Sequence, residues 1–185
     1  MKVCFFLSVF SLSALVLTSC SQDQESKSAT TASVSEKRYY MQSLSIQLPI
    51  GWQEVSNADK SLHIFKNSQC DTSLAFCENL SVNFRPNTAN LSLKQVENSI
   101  LASLPVRYNK FRLISSRDTI IHTMPAKVID YMVNEQATDL GATMGVVIKN
   151  DTVVVITGMA LNQPKGTYIK YRRPIMGIIN SLSNK

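Results

Sequence analysis

Two long apolar runs separated by only two residues constrain the fold of this 185-residue chain more than any other feature. Residues 142–149 and 152–161 are rich in the β-branched and apolar side chains that favour strands. Asn150 and Asp151 lie between them, and a two-residue connection of this kind is typical of a β-hairpin. The two runs are therefore predicted to be antiparallel neighbours in one sheet.

Further strands are predicted on the N-terminal side of this hairpin. Each is a short run with alternating apolar residues, and in the last of them Ile129, Tyr131 and Val133 share one face. The predicted strands cover residues 43–48, 52–55, 62–66, 80–84, 111–119 and 127–133.

Two helices complete the predicted elements. Ser92 and Gln95 form a capping box at the start of the first helix, and Pro105 is expected to end it. The second helix is C-terminal, and Pro174 predicts either a kink or a helix that restarts there. Its apolar face consists of Tyr168, Tyr171, Ile175, Ile178 and Leu182. This order of elements predicts one α+β domain over residues 39–185, with an antiparallel β-sheet sandwiched by helices.

The same elements carry a family resemblance. Residues 48–52, Leu-Pro-Ile-Gly-Trp, resemble the opening of PsbP-like domains, in which a strand runs into a Leu-Pro-x-Gly-Trp turn. A helix after Asn90, a small-residue turn at 124–126 and a closing helix at 178–182 are also similar to the family. The resemblance covers residues 39–184 and implies a binding or assembly protein, with the DcrB-like bacterial lipoproteins as the nearest branch. It carries no functional residue over to this chain.

The N-terminus predicts export. Lys2 precedes an apolar stretch at 3–17, which is too short to span a membrane and is typical of a signal peptide. Residues 17–20, Leu-Thr-Ser-Cys, resemble the bacterial lipobox, in which the cysteine thiol accepts a diacylglycerol. Residues 1–19 are therefore predicted to be removed, leaving Cys20 lipidated with palmitate-type chains that anchor the protein to a membrane.

A tether and a location follow from this prediction. Residues 20–38 are rich in Ser, Thr, Ala, Gln and charges, which predicts a disordered tether. The absence of Asp at Ser21 resembles outer-membrane sorting in enteric bacteria, although Asp23 and Glu25 resemble a surface-export signal. We expect an extracytoplasmic protein of the cell envelope, at the outer rather than the inner membrane.

Two cysteines remain in the predicted domain. Cys70 and Cys77 form an even pair in an oxidising compartment, which predicts a disulfide bond. The alternative is a metal site, but the chain has no CxxC motif, and His63 and His122 are its only histidines. We therefore expect no metal.

Catalytic motifs are not evident in the sequence. There is no Gly-x-Ser-x-Gly elbow, and the histidines and carboxylates are scattered among strands and turns. Gly141, Gly145 and Gly158 lie within strands and indicate bulges or close packing rather than a phosphate loop. We expect no catalytic residue and no cofactor.

Charge gives the most specific indication of binding. The formal net charge is +6, but we expect no nucleic acid partner for an exported chain. A basic cluster consists of Lys165, Lys170, Arg172 and Arg173. It is suited to binding anionic lipid or an acidic envelope protein. The alternative is that these residues form the solvated face of a helix. The expected function is a membrane-anchored, non-catalytic binding or assembly factor. The alternatives are an exported hydrolase and a purely structural lipoprotein.

Overall fold

The computed structural model describes residues 36–55, 60–70, 76–135 and 137–185. The predicted signal peptide, Cys20 and nearly all of the predicted tether lie outside the described residues. The first strand, β1, spans Lys37–Met41, so the domain begins slightly before the predicted boundary at Tyr39.

The described elements follow the predicted order of strands, helix, strands and helix. After β1 come β2 (Leu44–Leu48), β3 (Trp52–Val55), β4 (Leu62–Asn67), β5 (Asn79–Pro86), α1 (Leu93–Arg107), β6 (Asn109–Ile121), β7 (Met124–Glu135), β8 (Thr138–Lys149), β9 (Thr152–Leu161), α2 (Tyr168–Asn180) and β10 (Ser183–Asn184). Among the described residues, one sheet has the order β3-β4-β5-β9-β8-β7-β6 and a smaller one the order β1-β2-β10. All neighbouring strands are antiparallel, which confirms the predicted α+β class.

The hairpin of β8 and β9 forms as predicted. Lys149 pairs with Thr152, and Asn150 and Asp151 between them have φ of +46° and +55°. Two consecutive left-handed residues are the mark of a type I′ turn, which asparagine and aspartate tolerate better than most side chains. The turn brings two buried strands into the centre of the large sheet.

The two faces of the large sheet bury separate apolar clusters. On one face, Ile175 and Ile179 of α2 pack with residues of the small sheet and with Ile156 of β9. On the other, Val96 and Leu104 of α1 pack over β7. Ile129, Tyr131 and Val133 share this second face, as predicted, because successive strand residues point to opposite sides. We refer to these sides as the α2 face and the α1 face.

Both prolines lie inside helices. Pro105 lies inside α1, which continues to Arg107, so the predicted end at this residue is wrong. Pro174 lies inside α2, which is continuous there, so the predicted restart does not occur. A helical proline deprives the carbonyl four residues earlier of its donor. For Pro174 this carbonyl belongs to Lys170, which is exposed, so water can supply the missing bond.

The turn predicted at residues 124–126 is also wrong. Met124 already belongs to β7 and pairs with Ile121. His122 and Thr123 make the turn, with φ of +51° and +84°. No helix in the part of the chain that the structure describes is both long and apolar enough to cross a bilayer.

Candidate functional site

Asp130 is the centre of a buried polar cluster on the α2 face. Only 2% of its surface is exposed. Its Oδ2 accepts hydrogen bonds from Nη1 of Arg117 at 2.8 Å and Nη2 of Arg172 at 2.7 Å. Its Oδ1 accepts from Nε of Arg172 at 3.0 Å and from the Thr143 hydroxyl at 2.7 Å, and the Ser115 hydroxyl donates to Oδ2 at 2.9 Å. Arg172 therefore holds the carboxylate with two bonds, the geometry for which a guanidinium is suited.

The sheet register assembles this cluster. Asp130 of β7 pairs with Ser115 of β6 on one side and with Thr143 of β8 on the other. Directly paired residues share a face, so both hydroxyls point towards α2. On α2, Tyr168 and Arg172 are four residues apart and therefore lie on the same side of the helix. The Tyr168 hydroxyl bonds Thr143 while Arg172 bonds Asp130.

The surroundings of Asp130 keep it ionised. Burial on its own would raise the pKa of the carboxyl group. Hydrogen bonds from Arg172 and Arg117, and then from the two hydroxyls, outweigh this effect and lower the pKa to about 2. The same contact raises the pKa of Arg172. At neutral pH the group is a fully partnered ion pair that fastens α2 to the sheet.

A second buried carboxylate fastens α1 to the opposite face. Glu97 accepts hydrogen bonds from the Ser116 hydroxyl and from Nζ of Lys94 at 2.9 Å, and Nζ of Lys127 lies 3.1 Å away. Burial raises the pKa of Glu97, but these contacts, led by Ser116, lower it to about 2. Lys127 also pairs with Asp118 at 2.8 Å, and its pKa is raised by Asp118 and then by Glu97.

Three strand glycines allow α2 to approach the sheet closely. A Cβ atom at Gly141 would lie 2.1 Å from the Tyr168 ring. One at Gly158 would lie 2.3 Å from Cγ2 of Ile175, and one at Gly145 would lie 2.6 Å from Cγ2 of Ile179. These contacts confirm close packing, which is one of the two roles predicted for the three glycines.

The predicted basic cluster divides into two kinds of residue. Lys165, Lys170 and Arg173 are exposed and form no ion pair with the described residues. Arg172 is instead half-buried and committed to Asp130, so its predicted role in binding a partner is corrected to a role in packing α2. The sequence could not show this, because Asp130 lies 42 residues away on a strand of unknown register.

Lys165 also lines an open recess of about 420 Å³ at one end of the large sheet, which we call the basic recess. Arg112 pairs with Met132, which lies two residues after Asp130 in β7. Arg112 and Asp130 are therefore on the same face of the sheet. The side chains that define the recess are Lys110, Arg112, Met132, Asn134, Asp139 and Lys165. Sequence reasoning missed Lys110 and Arg112, since only the β6–β7 pairing and its bulge bring them beside Lys165.

The histidines and the cysteine pair that the sequence analysis considered do not line the basic recess. Nδ1 of His63 lies 2.7 Å from Oε1 of Glu54 at the surface, and His122 is exposed in its turn. Across the described ranges, no group of three His, Cys, Asp or Glu side chains is arranged to hold a metal ion. The Cα atoms of Cys70 and Cys77 are 5.7 Å apart, which is disulfide distance.

Comparison with known proteins shows a likeness of structure only. No family model matches the chain, and no curated protein matches it in sequence. The Ran-binding protein Mog1p of Saccharomyces cerevisiae matches with a TM-score of 0.61 at 12% identity, over 82% of this chain and 96% of its own.

Two bacterial structures have a similar likeness. The cyanobacterial PsbP protein CyanoP of Synechocystis matches with a TM-score of 0.60 at 14% identity, over 91% of this chain and 99% of its own. LpqN of Mycobacterium tuberculosis, described as involved in cell envelope biogenesis, matches with a TM-score of 0.58 at 8% identity, over 80% of this chain and 90% of its own. At these identities the comparisons establish the fold alone. It is an α+β fold like those of PsbP and Mog1, and the sequence motifs predict its likeness to PsbP.

Proposed function

We propose that this protein is an exported lipoprotein, acylated at Cys20, whose domain acts as a non-catalytic binding or assembly factor in the cell envelope. The lipobox resemblance supports the anchor, and acyl chains alone supply lasting attachment to a membrane. The fold supports binding, since similar structures include a Ran-binding protein and a protein involved in cell envelope biogenesis.

The observation that carries the proposal is a contrast between buried and exposed charges in the domain. The buried carboxylates of Asp130 and Glu97 are each surrounded by cations and hydroxyls. Near α2 and the start of β6, by contrast, a group of exposed cations has no ion-pair partner among the described residues. These are Lys110, Arg112, Lys165, Lys170 and Arg173. Such a surface favours an anionic partner.

The same contrast argues against a catalytic role for the buried acids. A general acid or base works best with a pKa near the operating pH. Asp130 and Glu97 have a pKa of about 2 and hold their helices through that charge. Among the residues that the structure describes, no specific contact favours the exported hydrolase, and the exposed cations favour binding over a purely structural role.

Site-specific crosslinking in the intact lipoprotein tests the proposal. A photo-crosslinking residue would replace Lys170 or Arg173 on α2, with Lys66 of β4 as the matched exposed position elsewhere. We expect the α2 positions to capture an anionic lipid or an acidic envelope protein, and high salt to weaken the capture. The same crosslinks from Lys66 as from α2 would contradict the proposal, because they would show chance encounters.

A further inference from the structure

The basic recess is shaped by an irregularity in β6. Asn109 pairs with Asn134 and Arg112 with Met132, so Lys110 and Phe111 together stand opposite Val133. Such a bulge redirects side chains, and bulges are frequent beside functional sites. Phe111 packs against Tyr131 on the α1 face, with ring centroids 5.7 Å apart, while Lys110 lines the recess.

The opposite wall of the recess is held in place by hydrogen bonds. The backbone N–H of Asn162 donates to the Asp139 carbonyl at 2.8 Å. The side-chain oxygen of Asn162 accepts from the N–H of Gly166 at 3.0 Å and from that of Tyr168 at 3.4 Å. These bonds fix the loop that carries Lys165, so its position over the recess is built into the fold.

The charges that line the recess are unbalanced. Lys110, Arg112 and Lys165 contribute three cations, and Asp139 is the one carboxylate among the lining residues that the structure describes. The Asp139 carboxylate already accepts a hydrogen bond from the Asn134 amide at 2.7 Å. A recess of about 420 Å³ is within the usual size of a small-molecule site, so an anionic group can enter it.

The surroundings of the recess indicate where that anion comes from. Ile169, at the start of α2, is 72% exposed, and Ile114, two residues after Arg112, is 47% exposed. Exposed aliphatic side chains beside cations are suited to the surface of an anionic bilayer, where both kinds of residue gain binding energy. A soluble phosphate compound would use the cations but would leave the aliphatic side chains in water.

We infer that the basic recess binds the phosphate of an anionic phospholipid headgroup through Lys110, Arg112 and Lys165. This inference rests on the proposed function and adds its ligand class. The guanidinium of Arg112 is suited to two-point contact with phosphate oxygens, and the lysines supply further positive charge. The domain would then lie against the membrane that holds its anchor, with α2 facing the lipid.

Vesicle binding by the non-lipidated mature chain tests the inference. The chain would cover residues 20–185 with Cys20→Ser, exported behind an ordinary cleavable signal so that the cysteine pair can oxidise. Co-sedimentation at low salt would compare phosphatidylcholine vesicles with and without phosphatidylglycerol. The test variant is Lys110→Gln/Arg112→Gln/Lys165→Gln. The control, Lys60→Gln/Lys66→Gln/Arg85→Gln, removes the same charge from exposed positions elsewhere.

We expect the wild type to bind only the anionic vesicles. The recess variant should lose about five-fold in partitioning for each cation removed, while the control variant keeps most of its binding. Excess glycerol phosphate should compete with the vesicles, since it presents the same phosphate. Thermal unfolding of both variants would confirm that they are folded.

Three results would overturn the inference. Equal losses in the two variants would show general charge attraction instead of a site. Binding of glycerol phosphate without vesicle binding would assign the recess to a soluble ligand, and binding of an acidic peptide without vesicle binding would assign it to a protein. Acylation at Cys20 and crosslinking from α2 are measured independently, so the proposed function can stand if the lipid site fails.

Discussion

Nη2 of Arg172 lies 2.7 Å from Oδ2 of Asp130, whereas the next residue of α2, Arg173, is exposed and forms no ion pair with the described residues. Two consecutive arginines thus have opposite roles. One fastens the helix to the sheet, and the other remains available to a partner. This division separates a residue that stabilises the fold from one to which the proposed function assigns binding.

Stability measurements can detect this difference. Arg172→Met should lower the free energy of unfolding by ~1–3 kcal/mol, because Asp130 stays buried with fewer bonds to its charge. Arg173→Met should change it by no more than ~0.5 kcal/mol, as is usual for exposed positions. Urea unfolding measures both. Equal effects of the two substitutions would mean that the Asp130 contact does not stabilise the fold.

Acid should destabilise the domain through its two buried carboxylates. Asp130 and Glu97 have a pKa of about 2 in the folded protein, below the value of ~4 expected for unfolded chains. Their contribution is therefore complete above about pH 5 and is lost as the pH falls towards 2, by ~2–3 kcal/mol for each group.

The variant Asp130→Asn provides the control for this pH dependence. It should be less stable than the wild type at neutral pH and should lose less stability on acidification, since one of the two titrating groups is gone. Urea unfolding at a series of pH values gives both slopes. A slope unchanged by the substitution would show that Asp130 does not carry the depressed pKa.

The close approach of α2 to the sheet can be tested at two glycines. Gly158→Ala would place a Cβ atom 2.3 Å from Cγ2 of Ile175 and should cost ~1–3 kcal/mol of stability. Gly177 lies in α2 itself, and an added Cβ atom there would have nothing within 4 Å. Gly177→Ala should therefore stabilise the protein by up to ~1 kcal/mol. Thermal unfolding that shows no loss in Gly158→Ala would disprove the tight contact.

The cysteine pair should contribute modestly to stability. Cys70 and Cys77 are seven positions apart, and closing so short a loop is worth ~2.5 kcal/mol at most on the chain-entropy model. Reduction should lower the free energy of unfolding by that amount or less. In Cys70→Ser/Cys77→Ser, reductant should have no effect. Free-thiol titration of the oxidised protein checks the bond directly, and two reactive thiols from these residues would exclude it.

Local patterns in the sequence predict the helices and strands well, but they do not predict contacts between distant elements. The capping box of Ser92 and Gln95 and the turn at Asn150 are decided by neighbouring residues, and the structure confirms both. The pairing of Asp130 with Arg172 depends on strand register and on how α2 is seated. Neither is contained in a local pattern.

The candidate site shows the same limit. Lys165 was identifiable because it lies beside other basic residues in sequence. Lys110 and Arg112 join it only because a bulge in β6 and the β6–β7 register turn them towards the same recess. Strand register therefore decides which cations line the recess. It also places Asp130 where it can bind Arg172, which is half-buried as a result.

The central claim is that Cys20 carries a lipid anchor that holds a binding domain at a membrane. Mass spectrometry of the protein purified from the membrane fraction tests it most directly. We predict an N-terminal peptide that begins at Cys20 and carries the mass of two or three acyl chains, and an uncleaved precursor for Cys20→Ala. A purified protein that retains unmodified Met1, or one that begins at an unacylated Cys20, would contradict the account.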